Sequence, residues 1–247
     1  MSNMTNSIYS RHALLTAIVL LSTSLIILSC AHANGDDLIG DATCSPNLIQ
    51  TYVDMSQIGL NFYPDSKVIQ VYNNGSKGLS GEEKKKMINK YDDYHFNKAA
   101  TPDMYTSYAN EFAAIEVTSR QDFNGIAPGS LINEKITLVS VSPYKWLLSK
   151  GSANFDWSDV PKDYRTVLNA NPNAGFDGLA AEILRPENYP VNKDLNSVCK
   201  DDLVLLSTHC LYLLFKETPS IKAQEITVTF VDGDKRISKT KEITFSN

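Results

Sequence analysis

The segment from Ile226 to Phe245 constrains the fold more than any other part of the chain. Ile226, Val228 and Phe230 alternate with Thr227 and Thr229, and after Asp232-Gly233-Asp234 the residues Arg236 to Phe245 return with Ile243 and Phe245 on one face. Alternation of period two places apolar side chains on one side of a strand and polar ones on the other. The Asp-Gly pair supplies the positive φ that a tight hairpin favours. The pattern predicts an antiparallel hairpin with one face for a core and one for water.

Shorter runs of the same kind recur. Ile58–Phe62 alternates, Pro64-Asp65-Ser66 supplies a turn, and β-branched and aromatic Val68–Tyr72 ends at Asn73-Asn74-Gly75. Phe112–Thr118 and Ile136–Val141 read as strands, the second closed by Pro143, with a loop over Gln121–Asn133. Two apolar runs, Leu203–Leu206 and Leu211–Phe215, flank Thr208-His209. Ser80-Gly81-Glu82-Glu83 has the form of a capping box and predicts a short surface helix through Tyr91. Gly151–Lys200 is rich in Asn, Pro, Asp and Gly and reads as long loops with a helical turn near Leu179–Leu184. Several short strands separated by turns point to a mainly β protein: an antiparallel β-sandwich of immunoglobulin-like type with one or two short surface helices and long loops. No internal repeat is evident.

The N-terminus carries an export signal. Arg11 precedes an apolar run from Ala13 to Ser29, which leads into Ile27-Leu28-Ser29-Cys30 and then Ala31-His32-Ala33. Three readings stand. A lipoprotein peptidase cuts before Cys30 and that thiol carries lipid, Leu28 being a less usual second residue of such a box. Alternatively, ordinary signal peptidase cuts after Ala33, or the segment stays as an anchor, although a spanning helix wants roughly 20 apolar residues and Ser22-Thr23-Ser24 interrupts this run. All three place the protein outside the cytoplasm: an envelope, outer-membrane or surface lipoprotein, or a soluble periplasmic or secreted protein. Acyl chains hold a protein to a membrane at about 0.8 kcal/mol per buried methylene. The expected organisation is a signal peptide over 1–29, a flexible polar tether over 30–47, and a single β-rich domain over 48–247.

Once Cys30 is lipidated or removed, Cys44, Cys199 and Cys210 remain, in a compartment that permits disulfides. If Leu203–Leu206 and Leu211–Leu214 form a hairpin about Thr208-His209, Cys210 lies opposite Ser207 and not Cys199; on one strand Cys199 and Cys210 would lie roughly 36 Å apart at about 3.3 Å per residue, and a bridge needs Cα atoms within about 7 Å. Cys44–Cys199 is the preferred pair, with Cys210 a buried thiol in an apolar run; three free cysteines is the alternative.

The chain has a net charge of −5, and removal of 1–29 takes away Arg11 and no acid, making it −6. A mildly acidic body argues against nucleic acid as a partner, and Lys84-Lys85-Lys86 after Glu82-Glu83 reads as a solvated helix face.

Familiar chemistries are missing. His209 and Cys210 are adjacent and would point to opposite faces of a strand, which does not suit a shared metal. His95 lies beside Asp92 and Asp93, but no Gly-x-Ser-x-Gly elbow presents a serine. Asn169-x-Asn171-x-Asn173-x-Gly175 before Asp177 is a poor calcium loop, with neutral ligands and Pro172 intervening. There is no phosphate loop or dinucleotide fingerprint. No catalytic residue, metal or cofactor is assigned.

Cys30 with its apolar run, Glu116-Val117-Thr118-Ser119-Arg120-Gln121-Asp122-Phe123 leading into Pro128-Gly129-Ser130-Leu131-Ile132-Asn133, and the Thr227-Val228-Thr229-Phe230 hairpin together resemble a family of uncharacterised bacterial lipoproteins carrying a domain of unknown function, from Gram-negative surface repertoires. The similarity covers most of the mature chain. It implies an exported immunoglobulin-like β-sandwich and carries over no catalytic residue.

Aromatic residues supply the lead on function. Tyr144, Trp146, Phe155, Trp157, Tyr164 and Tyr189 fall in the loop-rich region, and exposed aromatics stack on sugars or partner proteins. A lipid-anchored envelope protein would be a binding module that takes a glycan or envelope protein through Tyr144, Trp146, Trp157 and Tyr164, or a structural module with no small ligand. The alternative is an exported hydrolase using loop carboxylates such as Asp156, Asp159 and Glu182, since glycoside hydrolysis needs two carboxyls roughly 5 to 10 Å apart.

Overall fold

The structure, a computed structural model, describes residues 43–100, 105–158, 160–170 and 179–246. The export segment, Cys30, Asp159 and the Asn-rich run from 171 to 178 lie outside them. In chain order the elements are β1 (Thr43–Ser45), β2 (Thr51–Asp54), β3 (Ile58–Tyr63), β4 (Val68–Asn73), β5 (Lys77–Gly78), α1 (Gly81–Tyr91), β6 (Lys98–Ala100), β7 (Thr106–Tyr108), β8 (Phe112–Ser119), β9 (Ile136–Ser142), α2 (Tyr144–Leu148), α3 (Lys162–Ala170), α4 (Ala181–Leu184), β10 (Tyr189–Asp194), β11 (Leu211–Phe215), β12 (Ala223–Asp232) and β13 (Lys235–Thr244). The protein is mainly β, and its centre is a β-sandwich.

One layer is a five-stranded sheet in the order β10-β9-β11-β4-β3, and the facing layer is β13-β12-β8. Leu60, Ile69, Leu138 and Leu213 from the first meet Val117, Val228, Phe230 and Ile243 from the second in one core. Phe215 stacks on Phe123 with ring centroids 5.8 Å apart. Two small sheets, β5-β2-β7 and β1-β6, complete the fold. Each strand pair is antiparallel except β2–β7.

The terminal hairpin has the form that its alternation predicts. β12 and β13 pair from Ala223–Thr244 to Asp232–Lys235, and Gly233 turns between them with φ +57°. Its outer face is polar: the hydroxyls of Thr227 and Thr240 lie 2.7 Å apart, and those of Thr229 and Ser238 2.8 Å apart. Lys235, Arg236 and Lys239 keep the outer edge of β13 charged and exposed, which discourages edge-to-edge pairing. The free edge of β8 is closed differently. Ile132 N donates to Val117 O (2.8 Å), and the Asn133 amide accepts from Val117 N and donates to Ile115 O, both at 2.9 Å.

The five-stranded sheet departs from the one-face expectation. β9 and β11 are buried along their whole length, because the second face of this sheet is also covered. Tyr164 and Val167 of α3 and Ile183 of α4 pack there on Val139, Val141, Tyr212 and Leu214. A third cluster around Tyr52, Phe96, Tyr105 and Trp146 fills the space beneath α1 and α2.

Several sequence expectations need correction. The stretch read as loops holds α3 and β10. Residues 43–47, assigned to the tether, belong to the folded body: β1 pairs with β6, Cys44 opposite Ala99, and Asn47 Nδ2 donates to Asp93 O. Leu203–Leu206 forms no hairpin with β11, whose neighbours are β9 and β4. Ser80 precedes α1 as expected, but its side chain makes no capping hydrogen bond; the turn closes through Glu83 N to Ser80 O at 3.2 Å.

Candidate functional site

The aromatic platform expected between Tyr144 and Tyr189 is not a surface. Trp146 is 1% exposed, stands edge-on to Phe96 at 5.9 Å, and donates Nε1–H to Asn154 Oδ1 (3.2 Å). Gly151 is needed beside it, because a Cβ there would lie 2.8 Å from the indole ring. Tyr164 is fully buried, with its hydroxyl donating to Ser140 O. Trp157 is half-buried against Tyr164 (5.1 Å) and Phe155 (4.7 Å). Tyr144 is half-buried against Tyr91. These rings roof the sheet or fill the third cluster, and hydrophobic burial accounts for them.

The cysteine expectation also changes. Cys199 and Cys210 carry free thiols, so the Cys44–Cys199 pair does not form. Cys199 instead leads into a 3-10 turn and directs Sγ to Asp202 Oδ2 at 3.1 Å. Cys210 is fully buried, as its apolar run predicts, and burial pushes its thiol pKa well up.

Of the loop carboxylates, Asp159 lies outside the described residues, and Asp156 and Glu182 are engaged separately. Asp156 is exposed and accepts from Ser158 N. Glu182 is buried, paired with Arg185 (2.5 Å) and bonded by Ser207 Oγ (2.6 Å). Arg185 in turn lies over the Tyr105 ring, 4.7 Å from its centroid. Tyr105 donates to Glu187 (2.5 Å), which also receives Lys98 (2.8 Å). Burial raises the Glu187 pKa, but these two hydrogen bonds outweigh it and hold the carboxyl below its ordinary range. The result is a satisfied ionic seam between the roof and the third cluster. Asp93, beside His95, is likewise structural: its buried carboxylate accepts from Leu48 N, Ile49 N and Tyr52 OH. His95 makes only an exposed contact with Asp92 at 3.4 Å.

One cleft, of about 530 Å³, lies between Asp54, Met87, Glu111 and Asp232. Its polar groups largely engage one another. The Asn110 amide donates to both Asp54 (3.0 Å) and Asp232 (2.9 Å). Glu111 binds Lys90 and Lys200, and those hydrogen bonds hold its pKa down. The arrangement is a brace joining β2, β8 and the β12–β13 turn.

A second cleft, of about 430 Å³, is chemically different. Val53, Gln70, Tyr72, Asn73, Thr106, Thr208 and His209 line it, with no Asp, Glu, Lys or Arg among them. It opens on the half of the five-stranded sheet that α3 and α4 leave uncovered. Residues 58–63, 68–73 and 207–215 contain no acidic residue, lysine or arginine, in a chain that is 21% charged. Register places the polar side chains on one face. Asn61 opposes Gln70 and Gly59 opposes Tyr72, and residues two apart on a strand share a side. Tyr63 OH donates to Gln70 Oε1 (2.9 Å) and Gln70 Nε2 to Tyr212 OH (3.5 Å), which orients the amide. Asn61 and His209 are exposed, and Tyr72 is 36% exposed. The alternation of the sequence places Asn61, Gln70 and Tyr72 in strands but does not single them out as a surface. The signal that could have found them was two paired strands, 58–63 and 68–73, without a charged residue.

Among the described residues no group of three or more His, Cys, Asp and Glu is placed to hold a metal ion, and no helix is long and apolar enough to cross a membrane. No family model, curated protein or solved structure matches the chain.

Proposed function

We propose that this protein is an exported, lipid-anchored module of the cell envelope that acts by binding, and that its contact surface is the charge-free face of the β3–β4 hairpin. The observation that carries the reading is the contrast between clefts. The acidic cleft spends its charges internally, while the neutral one presents an exposed ring, amides and an imidazole to solvent. A concave surface with a few convergent polar groups is where ligands bind most often. The Ile27–Cys30 box supports export and a lipid anchor. Relationship to the uncharacterised lipoproteins that the sequence resembles is part of this proposal.

Two experiments test it. Co-sedimentation of the mature domain with isolated envelope fractions should be lost in a Tyr72→Ala, Gln70→Ala variant that retains its fold; unchanged sedimentation removes this face as the contact surface. Mass spectrometry of the native protein should find an acylated N-terminal Cys30. A Cys30 joined to Cys44 instead would leave no thiol for lipid and would overturn the anchor.

A further inference from the structure

Resting on that reading of the β3–β4 face, we infer that its ligand is a neutral glycan, seated with one sugar ring on Tyr72 and its hydroxyls on the adjoining amides. The first argument concerns Gly59. It is not among the glycines with positive φ, so its backbone does not demand glycine. A Cβ at this position would lie 2.1 Å from Tyr72 Cζ, 2.4 Å from Cε2 and 2.5 Å from the hydroxyl. The ring therefore lies across the neighbouring strand, where the missing side chain would stand. Glycine here seats an aromatic ring against the sheet, and Tyr72 as a whole remains 36% exposed. Such a platform suits the C–H face of a pyranose, because an aromatic face carries partial negative charge and attracts polarised C–H groups.

The second argument is the chemistry around the ring. Asn61 and Gln70 lie one step along the ladder on the same face, and Asn73, Thr208 and His209 close the cleft. Amides and hydroxyls both donate and accept, as sugar hydroxyls do. An acidic polymer would find no lysine or arginine in the lining, and a basic peptide no carboxylate. A protein partner is less well served. A stable protein interface takes about 800 Å² from each side around a cluster of tryptophan, tyrosine or arginine anchors, and this lining offers the single exposed ring of Tyr72.

The test uses the mature domain on an array of neutral hexose and N-acetylhexosamine oligosaccharides, with heparin and polylysine as charged controls, and titration of the best member. Tyr72→Ala should weaken binding about tenfold or more, and Tyr72→Phe should retain it, since the ring provides the platform. Gly59→Val should weaken binding through the displaced ring, with the β spectrum unchanged. Equal binding by wild type and Tyr72→Ala, or binding to the charged controls alone, overturns the inference. Absence of signal from every neutral member, while Tyr72-dependent envelope sedimentation persists and protease treatment of the envelope abolishes it, assigns a protein ligand; the glycan inference then falls and the contact face stands. If envelope sedimentation does not depend on Tyr72, both readings fall.

Discussion

Two halves of one sheet face carry opposite chemistry. Over β9 and β11 the face holds Val139, Val141, Tyr212 and Leu214 beneath Tyr164, Val167 and Ile183. Over β3 and β4 it holds Asn61, Gln70 and Tyr72, open to solvent. Both halves contain tyrosine and neither contains a charge. The difference lies in the cover. The segment between β9 and β10 supplies α3, α4 and their neighbouring rings as a roof, and among the described residues that roof packs on β9 and β11 and not on Asn61, Gln70 or Tyr72. An aromatic residue here is core or surface according to its position relative to that roof, and its residue type does not decide.

The roofed half should therefore respond far more strongly to truncation. Tyr164→Ala removes a fully buried ring and both of its hydrogen bonds, to Ser140 O and to Val191 O. The expected loss is about 3–5 kcal/mol in urea unfolding. A loss below about 1 kcal/mol would mean that α3 is not seated on the sheet, and the comparison would fail.

The ionic seam beneath the roof comes next. Arg185→Ala leaves Glu182 buried without its cation, at a cost of about 3 kcal/mol. Adding Glu182→Gln should recover part of that loss, since the stranded charge is gone while Ser207 keeps an acceptor. No recovery in the double variant would show that Arg185 acts through its packing on Tyr105.

Acid sensitivity gives a finer test, because two buried carboxylates have opposite signs. Glu187 titrates below its ordinary range in the folded protein. Its contribution is therefore present above the unfolded value, about 4.3, and is lost as pH falls through the folded one. Burial raises the Asp93 pKa, partly offset by its hydrogen bonds. The folded state then holds that proton more tightly than the unfolded chain, so the contribution is present at low pH and lost as pH rises through the raised value. Urea midpoints from about pH 3 to 7 should show the difference between wild type and Glu187→Gln growing in favour of wild type as pH rises, and the difference from Asp93→Asn moving the other way. Slopes of the same sign would refute the assignment of one of the two.

How much of this was readable beforehand follows from where each signal resides. β12–β13 was legible because its alternation runs the length of both strands and its turn needs Gly233. β3, β4, β8 and β9 were legible for similar local reasons. The roof was not. α3 presents its apolar side chains in a nine-residue helix within a stretch rich in loop-forming residues, and β10 contains Pro190, which an edge strand tolerates. The candidate binding residues failed for the same cause. Trp146 and Tyr164 are core because helices and strands distant in sequence close over them, and Tyr72 is exposed because no described helix or strand does. Ser80 shows the converse: its local pattern is right for a cap, yet the side chain makes no such bond.

The smallest expected effect sharpens the comparison most. Tyr72→Ala removes a ring that is already 36% exposed and that closes no hydrogen-bond network among the described residues. Loss of its contact with Gly59 should cost stability no more than about 1 kcal/mol, within the ordinary range for a surface strand position. The same variant should lose envelope binding. A residue that contributes little to folding and much to contact is what an uncovered platform requires, whereas a core residue would lose both together. If thermal unfolding of Tyr72→Ala fell as far as that of Tyr164→Ala, the open half would be structural after all, and the distinction between roofed and bare sheet would carry no functional meaning.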